Sequence, residues 1–361
     1  MDLYTLVNSM RTDGTFQAIA LNPAAQFGRT PRNYLGASLL PEKLVPDNAF
    51  REEAIRFRTV VANDGTRYSP VQLKKGELTS SMLVELAESD IGREFTSRDY
   101  DTLISLLQTN QSMDAVVALT NWLDTSINLA LVEHNEKQRW QAIVDALVVR
   151  VGDNGYSENV ALSNPPGHRV AQTAPWSTDA TDVFEQIFTM ADFLASKGFT
   201  VGRMITSTTV LSKMMGNDQV KKRAGMVVVN TSGQIQGTTG RAGKADINGL
   251  LQQDGLPAIE TYDLQYNTQL GSQYFLKRDV FVMVATTGRD TTIDFGTSAK
   301  LFSDTLGYTA VGRPAGQNSA GRVIRAEPFA NKPPRVEAEG WQTSFPIIQE
   351  PEAIVVITGI T

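Results

Sequence analysis

A glycine-rich segment near the middle of the chain comes closest to the pattern of a reactive site. A hydrophobic run, 226–229, is followed by Gly233, Gly237, Gly240 and Gly243-Lys244. In a phosphate-binding loop, glycine amides cradle the phosphates, a lysine reaches the terminal ones and a hydroxyl binds Mg²⁺. Here Thr238 stands where the first glycine is required, and Ala245 replaces the hydroxyl residue. We therefore expect residues 230–249, rich in Gly, Thr and Ser, to form a mobile surface loop rather than a nucleotide site.

The two histidines, His134 and His168, are the candidates for metal binding or acid–base catalysis. His134 is predicted on a helix, but the positions four residues away hold Ala130 and Gln138, which would not complete a metal site. We expect an interface or surface histidine there. His168 follows Pro-Pro-Gly and is predicted to be structural or exposed.

Other charged and aromatic residues favour structural roles. Asp182 and Glu185 can share one helix face, where carboxylates in a first turn complement the helix dipole. The basic cluster 221–223 is predicted to be a solvated helix end rather than a nucleic-acid contact. Trp176 and Trp341 flank predicted loops, and we expect them to be packing anchors at interfaces.

The composition excludes several classes of function. The chain has 361 residues, a net charge of −6 and no cysteine. An acidic surface repels phosphate backbones, and a chain without cysteine has no disulfides, thiolate nucleophiles or cysteine-bound metals. No window approaches about 18 uninterrupted apolar residues, and the first residues lack the pattern of a signal peptide. We predict no catalytic, cofactor-binding or metal-binding residues, no membrane span and no enzyme activity, in a protein made and used in a cytoplasm.

The first part of the chain is predicted to contain elements that need outside partners. Residues 1–45 are interrupted by prolines and predict an irregular arm that docks on a neighbouring subunit. Alternation over 55–61, the turn residues 63–65 and the run 66–68 predict a β-hairpin. A two-stranded ribbon alone is marginal in water. It needs a further surface, which another chain can supply.

Residues 112–151 contain neither Pro nor Gly and predict one long helix, or two helices that the pattern does not separate, ending at Gly152. A turn-rich connector is predicted at 152–176. Next, the pattern predicts a helix from Thr178-Asp179 to Gly198, a strand at 201–205 and short helices at 206–214 and 216–223. Further along, it predicts a strand pair around Tyr262 and Phe281. The chain is then predicted to follow an irregular return path at 311–344 and to end in a strand within 345–358. Because helices and strands do not alternate regularly, the class is α+β.

Three blocks of sequence, in this order, resemble the major capsid protein of tailed bacteriophages, of the lambda-type head-protein family. They are 204–221, beginning Met-Ile-Thr-Ser; 255–266, Gly-Leu-Pro-Ala-Ile-Glu-Thr-Tyr-Asp-Leu-Gln-Tyr; and 345–356, with Phe-Pro-Ile-Ile and Pro-Glu-Ala-Ile-Val-Val. With the arm, the hairpin and the long helix in the expected order, the resemblance covers most of the chain.

The resemblance implies a Hong Kong 97-type fold. Its expected parts are an N-terminal arm at 1–45, an extended β-hairpin loop at 46–92, a peripheral domain with a spine helix at 93–178 completed by 300–348, and an axial domain at 179–299 completed by 349–361. It also implies that the 230–249 loop lies near local five- and six-fold axes.

The implied function is self-assembly, through hexamers and pentamers, into an icosahedral head that encloses double-stranded DNA without sequence-specific binding. The implied partners are a separate scaffolding protein, a portal and an optional decoration protein; the implied location is the virion, after assembly in the host cytoplasm. Two alternatives stay open: an encapsulin-type nanocompartment shell, and a nucleotide-binding hydrolase that uses 226–244. We expect deletion of residues 52–70 to abolish assembly but to leave a folded subunit.

Overall fold

The computed structural model describes residues 3–21, 32–57, 77–95, 101, 105, 112–152, 156–172, 174–229, 235–238, 240–268, 271–294, 300–303, 305–329 and 335–360. The chain forms two compact units. The first contains Met1–Phe50, Leu83–Arg139 and Tyr308–Ile347, and the second contains Arg51–Met82, Trp140–Gly307 and Ile348–Thr361.

The helices are α1 (Leu3–Thr12), α2 (Thr15–Leu21), α3 (Leu35–Leu39), α4 (Ser112–Leu123), α5 (Leu129–Asp145), α6 (Val183–Ser196), α7 (Thr208–Gly216), α8 (Asp218–Arg223) and α9 (Lys244–Gln253). A π-helical turn, Asp124–Asn128, joins α4 to α5, and a 3-10 turn, Pro351–Ala353, precedes the last strand.

The strands are β1 (Glu42–Leu44), β2 (Ala49–Phe57), β3 (Glu77–Glu85), β4 (Ala87–Phe95), β5 (Leu147–Val151), β6 (Ser157–Ala161), β7 (Arg169–Ala171), β8 (Phe199–Thr206), β9 (Val227–Val229), β10 (Ile235–Thr238), β11 (Ile259–Thr261), β12 (Gln265–Thr268), β13 (Gly271–Tyr274), β14 (Phe281–Asp294), β15 (Lys300–Ser303), β16 (Gly307–Val311), β17 (Arg322–Phe329), β18 (Arg335–Ile348) and β19 (Ile354–Thr358).

The first unit is a sheet covered on one face by helices. β18 is its central strand: it pairs with β17 and β4, and also with β16, which is joined in parallel by β1. Alternate residues of β17 and β18 face a core that also contains α1, α2, α4 and the π-helical turn. The buried side chains of this core include Leu6, Met10, Ile19, Leu119, Leu123, Ile127, Ala326, Val336 and Ala338.

This packing corrects the prediction of an irregular arm over 1–45. Residues 3–21 form two helices whose apolar faces are buried in the core of the same chain. Within this segment, Leu6, Val7 and Met10 have the spacing of one helix face, whereas the helix-breaking prolines all lie beyond residue 21. Residues 22–31 lie outside the described part of the chain.

The predicted long helix is present, but it ends earlier than expected. Helical structure runs from Ser112 to Asp145, and Ala146 then adopts a left-handed conformation with φ 49°. Leu147–Val151 forms β5, which pairs with β6 instead of continuing the helix. The valines of this run favour a strand because their branched side chains pack well on a pleated surface.

By length and composition alone, the stretch Asp114–Asp145 could cross a membrane. A core helix of a folded protein has the same composition, and here Leu119, Leu123 and Ile127 are buried in the first unit. The stretch also carries buried Glu136 and Arg139. We therefore interpret it as a core helix.

The second unit is built on a sheet with the strand order β11-β8-β14-β19-β7. The strand pair predicted around Tyr262 and Phe281 belongs to this sheet, but β8 lies between β11 and β14. The terminal strand is confirmed: β19 pairs antiparallel with β14 and parallel with β7, and Ile354–Ile357 are buried. It therefore lies inside the sheet, between β14 and β7.

Three predicted irregular segments contain regular structure. The connector 152–176 includes β6 and β7; the loop 230–249 includes β10 and the first residues of α9; and the return path 311–344 includes β17 and most of β18. Glycines and prolines suggested turns in each case. β7 and β18 pair with strands far away in sequence, β19 and β4, and composition does not show this pairing. β6 and β10 instead pair with the strands just before them, β5 and β9.

The predicted hairpin is partly described. β2 pairs with β3, and its residues 54–57 also pair with β14 of the same chain. The further surface that the ribbon was expected to need is therefore supplied, for residues 54–57 of β2, by the same chain. The predicted turn 63–65 and second strand 66–68 lie outside the described residues.

Candidate assembly surfaces

A segment before β1 is held on α5 by two glutamates. Arg32 Nη1 lies 2.6 Å from Glu133 Oε1, and the Tyr34 hydroxyl donates to the same oxygen at 3.3 Å. One turn later, Glu136 Oε1 accepts a hydrogen bond of 2.8 Å from the Gly36 N–H, in the first turn of α3. A side chain at position 36 would displace this carboxylate, because a Cβ there would lie 2.8 Å from both Glu136 oxygens.

Glu42 on β1 continues this network. Its Oε1 contacts Arg322, lies 3.3 Å from Arg139 Nη2 and accepts a 3.0 Å hydrogen bond from Asn135. Arg139 also donates from Nε to Thr309 Oγ1 at 2.8 Å. The network connects β1, α5, β16 and β17, so it fixes residues 32–45 to the sheet of the first unit.

Burial and neighbouring charges change the pKa values of this network. Burial raises the pKa of Glu42, but Arg322 and Arg139 more than compensate, so the pKa lies below its usual range. At Glu133 burial prevails over the attraction of Arg32, and the pKa is raised. Burial and the Glu133 charge raise the pKa of Tyr34. Glu42 is therefore harder to protonate than a free glutamate, whereas Glu133 is easier to protonate.

The glycine-rich segment has the geometry of a capped helix rather than of a phosphate loop. Gly243 precedes α9, and its N–H donates to Asp246 Oδ2 at 2.8 Å. This carboxylate occupies the position at the helix N-terminus where a phosphate would bind, and its charge would repel one. The Asp246 carboxylate is thus a second reason, besides the wrong spacing of the glycines, why this segment is not a phosphate-binding loop.

The two histidines have different surroundings. His134 is half-buried on α5, with Nε2 2.9 Å from Gln138 Nε2. His168 is 1% exposed; its Nδ1 donates to the Ile354 carbonyl at 2.8 Å, and its ring meets Phe193 edge to face. His168 is therefore structural, as predicted, and the alternative that it is exposed is wrong. Among the described residues, no cluster of His, Asp or Glu could hold a metal ion.

The charged pairs singled out in the sequence cap helices. Asp182 begins α6, accepting from the Glu185 N–H at 3.1 Å, and its other oxygen lies 3.0 Å from Arg223 Nη2. Lys221 lies 2.9 Å from Asp218 on the same short helix. The basic cluster is thus the last turn of α8, as predicted, and two of its cations are paired.

One of the two tryptophans, Trp176, differs from the prediction of interface anchors. Trp176 is fully buried in the second unit, where its Nε1 donates to Gln186 at 2.6 Å and its ring lies 5.3 Å from Phe281. Trp341 is half-buried on β18 and donates to the Ala315 carbonyl at 3.2 Å. Trp176 is a core residue of its own chain.

Exposed apolar side chains mark two small two-stranded ribbons of the second unit. On β5, Val151 is 74% exposed, and Tyr156, the residue before β6, is 49% exposed. On β9–β10, Val229 is 55% exposed. Ribbons of this kind are stabilised when a further surface covers them. Together with β2–β3, they are the candidate contact elements of the described chain.

Sequence reasoning missed the network around Glu42, Arg139 and Arg322. These residues are far apart in the sequence, and only folding brings them together. One clue was available: Glu136 and Arg139 have opposite charges three positions apart on the predicted helix, beside Trp140. Chemically, the arrangement can hold a segment in place, but it contains no nucleophile with an adjacent base.

Comparisons with known proteins place these features in context. Residues 30–355 match the family model described as phage major capsid protein E. No curated protein is similar enough in sequence to match the chain.

Among solved structures, a prophage protein from E. coli CFT073 assigned as its capsid protein is 14% identical, with a TM-score of 0.58 over 96% of this chain and 98% of that one. A phage-related protein from Bordetella bronchiseptica RB50 is 12% identical, with a TM-score of 0.51 over 92% and 94% of the two chains. The SrpI encapsulin of Synechococcus elongatus PCC 7942 is more distant, at 11% identity and a TM-score of 0.43 over 95% and 94%.

Proposed function

Because the chain belongs to the phage major capsid protein E family, we propose that its copies assemble through hexamers and pentamers into the icosahedral head that encloses double-stranded DNA. The match over residues 30–355 carries this conclusion. The α+β fold of the Hong Kong 97 type supports it, since the chain shares its fold with a prophage capsid protein over nearly its whole length. The protein is a structural shell component.

The candidate contact elements support assembly through many modest contacts. The hairpin β2–β3 and the exposed ribbons β5–β6 and β9–β10 offer strand edges and apolar side chains to neighbouring subunits. Each contact adds to the effective concentration of the next, so a closed shell can outlast any single interface.

We assign the family's parts to the chain as part of this proposal. The arm is 1–45 and the extended loop is 46–92. The peripheral domain is 93–178 with 300–348, and the axial domain is 179–299 with 349–361. The boundaries of these proposed parts differ from those of the two compact units, because Trp140–Gly307 lies within a single unit. On this assignment the ribbon β9–β10 belongs near the five- and six-fold axes.

The partners we propose are further copies of the chain, a separate scaffolding protein, a portal and an optional decoration protein. The net charge of −6 suits a container that holds DNA without binding it tightly. The proposed location is the virion, with assembly in the host cytoplasm. We propose no catalytic role, cofactor or metal.

Electron microscopy of the purified protein, alone and with its scaffolding protein, tests the proposal. Closed particles or capsomers are expected, and DNA inside particles isolated from cells would favour a phage head. Particles that contain an enzyme instead would favour a nanocompartment, and a compact monomer under all these conditions would overturn shell assembly.

A deletion within the hairpin tests the role of the extended loop. Removing residues 52–70 would also remove the pairing of β2 with β14, so replacing 58–76 by the two-residue turn Asn-Gly is the cleaner change. We expect the variant to remain folded, with an unchanged unfolding midpoint, but to form no closed shells. Normal shells from this variant would show that the loop is dispensable.

A further inference from the structure

The strand β4 forms one edge of the sheet in the first unit. Over its nine residues, from Ala87 to Phe95, it pairs with β18, and among the described residues no strand pairs with its other side. An unpaired strand edge presents a row of backbone N–H and C=O groups, which a strand from another chain can bond. The residues along this edge decide which strand can bind there.

Two hydrogen bonds show which residues of β4 direct these backbone groups outward. The Ala326 carbonyl of β17 accepts from Arg11 Nη2 at 3.4 Å, so this residue points away from β18, and its partner Ala338 bonds to β4 instead. The Thr343 carbonyl accepts from the Gly312 N–H at 2.8 Å and therefore does not bond to β4. Because backbone directions alternate along a strand, both bonds indicate that the even-numbered residues of β18 face β4.

The same alternation identifies the outward residues of β4. Ala338 is opposite Arg93, so Arg93 bonds to β18. The residues of the other parity direct their backbone groups outward: Glu88, Asp90, Gly92 and Glu94. Side chains alternate with the same period, so these residues also share one face of the sheet. Phe95 and Ile91 lie on the other face, in or against the helical core.

The outward residues make this edge acidic. The side chains of Glu88, Asp90 and Glu94 are exposed. Glu339 of β18, which is also exposed, lies opposite Gly92. Two arginines on this face are each paired with a glutamate of their own strand, in the pairs Arg325–Glu327 and Arg335–Glu337. These pairs are neutral, so the negative charge along β4 remains.

This charge decides between the possible occupants of the edge. In a pair of β4 strands from two copies of the chain, carboxylates would lie opposite carboxylates, which destabilises a strand pair. Nucleic acid would be repelled by the same carboxylates. A strand with Lys or Arg at every second position would instead place its cations opposite Glu88, Asp90 and Glu94. Nothing lies within 4 Å of the Cβ position of Gly92, so a long basic side chain opposite it has room to reach Glu339.

We propose that β4 is the docking site for a basic, extended segment of a different protein, which joins the sheet as a further strand. Backbone hydrogen bonds would supply the affinity, and the carboxylates would select a segment with alternating cations. The inference goes beyond the proposed shell function, and that function stands if the edge binds no strand.

A synthetic peptide tests the proposal on the full-length protein in dilute solution. The probe is a fluorescently labelled peptide, Lys-Thr-Lys-Val-Lys-Val-Lys-Thr, and its control has the same composition with all lysines in one block. Only the alternating peptide places every lysine on one face of a strand. By fluorescence anisotropy, we expect it to bind about 10-fold more tightly than the control.

Position 92 separates the backbone contribution from that of the side chains. Gly92→Pro removes one outward N–H, and proline is tolerated at such positions of an edge strand. Gly92→Ala keeps this N–H and is the matched control. We expect proline to weaken binding of the alternating peptide by about 10-fold and alanine by less than about twofold, with circular dichroism unchanged in both variants.

Charge provides a second readout that leaves the backbone unaltered. Asp90→Asn together with Glu94→Gln should weaken binding by about threefold or more, and 1 M salt should act in the same direction. Equal affinity for the two peptides, or equal binding by the folded proline and alanine variants, would overturn the proposal. Self-association that Gly92→Pro abolishes would also overturn it, because the edge would then belong to a second copy.

Discussion

Arg139 and Glu136 form an ion pair in the interior of the first unit, with Arg139 Nη1 3.4 Å from Glu136 Oε2 and the two side chains 1% and 0% exposed. The pair is not isolated: Glu136 also accepts from the Gly36 N–H, and Arg139 also contacts Glu42. It therefore couples the long helix to the segment that precedes β1.

We predict that Arg139→Met destabilises the protein by about 3–5 kcal/mol, because it leaves the fully buried Glu136 carboxylate without its cation. Urea unfolding, followed by circular dichroism, measures this loss. The control is Arg11→Met, which removes an exposed pair with Glu327 at 3.7 Å and is expected to cost less than about 1 kcal/mol. Equal losses for the two variants would show that the buried pair has no special role.

Gly340 on β18 provides a test of close packing. A Cβ at this position would lie 2.2 Å from Ile127 Cγ2 of the π-helical turn. We expect Gly340→Ala to cost about 1–3 kcal/mol, because the helix or the strand must shift to make room.

The matched control is Gly92 on the adjacent strand. Gly92 pairs with Glu339, one rung away from Gly340, and nothing lies within 4 Å of its Cβ position. Gly92→Ala should change the unfolding free energy by at most about 1 kcal/mol. If thermal unfolding midpoints fall equally in both alanine variants, the Ile127 contact is not the cause of the loss.

His168 should make the stability of the second unit depend on pH. Burial is the largest cause and lowers the pKa of His168 below its usual value. The positive charges of Lys197 and Arg169 also lower this pKa, whereas the hydrogen bond to the Ile354 carbonyl and the charge of Glu352 raise it. The unfolded state therefore takes up the proton first as the pH falls.

The stabilising contribution of neutral His168 is fully present above about pH 6.5, the usual pKa of histidine, and decreases as the pH falls toward the folded pKa. We expect a slope of up to about 1.4 kcal/mol per pH unit in this window. Denaturant titrations at several pH values measure it. In His168→Gln this part of the slope should disappear; an unchanged slope would assign it to carboxylates.

The N-terminus of α9 should not bind nucleotides, because the Asp246 carboxylate already accepts from the Gly243 N–H. Calorimetric titration with ATP and Mg²⁺ is expected to show no saturable binding, and Lys244→Ala should leave both the titration and shell formation unchanged. Saturable binding that Lys244→Ala abolishes would instead support the hydrolase alternative.

Local capping made several elements predictable from the sequence. Ser207 begins α7 by accepting from the Val210 N–H at 3.2 Å, and Asn217 begins α8 by accepting from Gln219 and Val220. These bonds join residues two or three positions apart, so their residue types are enough to indicate them. The terminal strand was predictable because its continuous apolar run needs burial on both faces.

Elements that depend on distant partners were not predictable in the same way. β17 and β18 contain Pro328, Pro346 and Gly340, which suggested an irregular path, yet both are long strands of the first unit. Their conformation depends on register with β4 and with each other, and single-sequence patterns do not specify register.

The sequence by itself determined the α+β class, the absence of cysteine chemistry, the capped helices, the buried terminal strand and, through the order of three blocks, the capsid family. Only the tertiary structure decided that the first helices pack on their own chain, that Glu42, Arg139 and Arg322 meet, and that β2 lies beside β8 on one edge of β14. The physical reason is the separation in sequence between the residues that interact. Helix capping and apolar runs involve residues close together in the sequence. These ion pairs and strand edges join residues that lie about 100 to 300 positions apart.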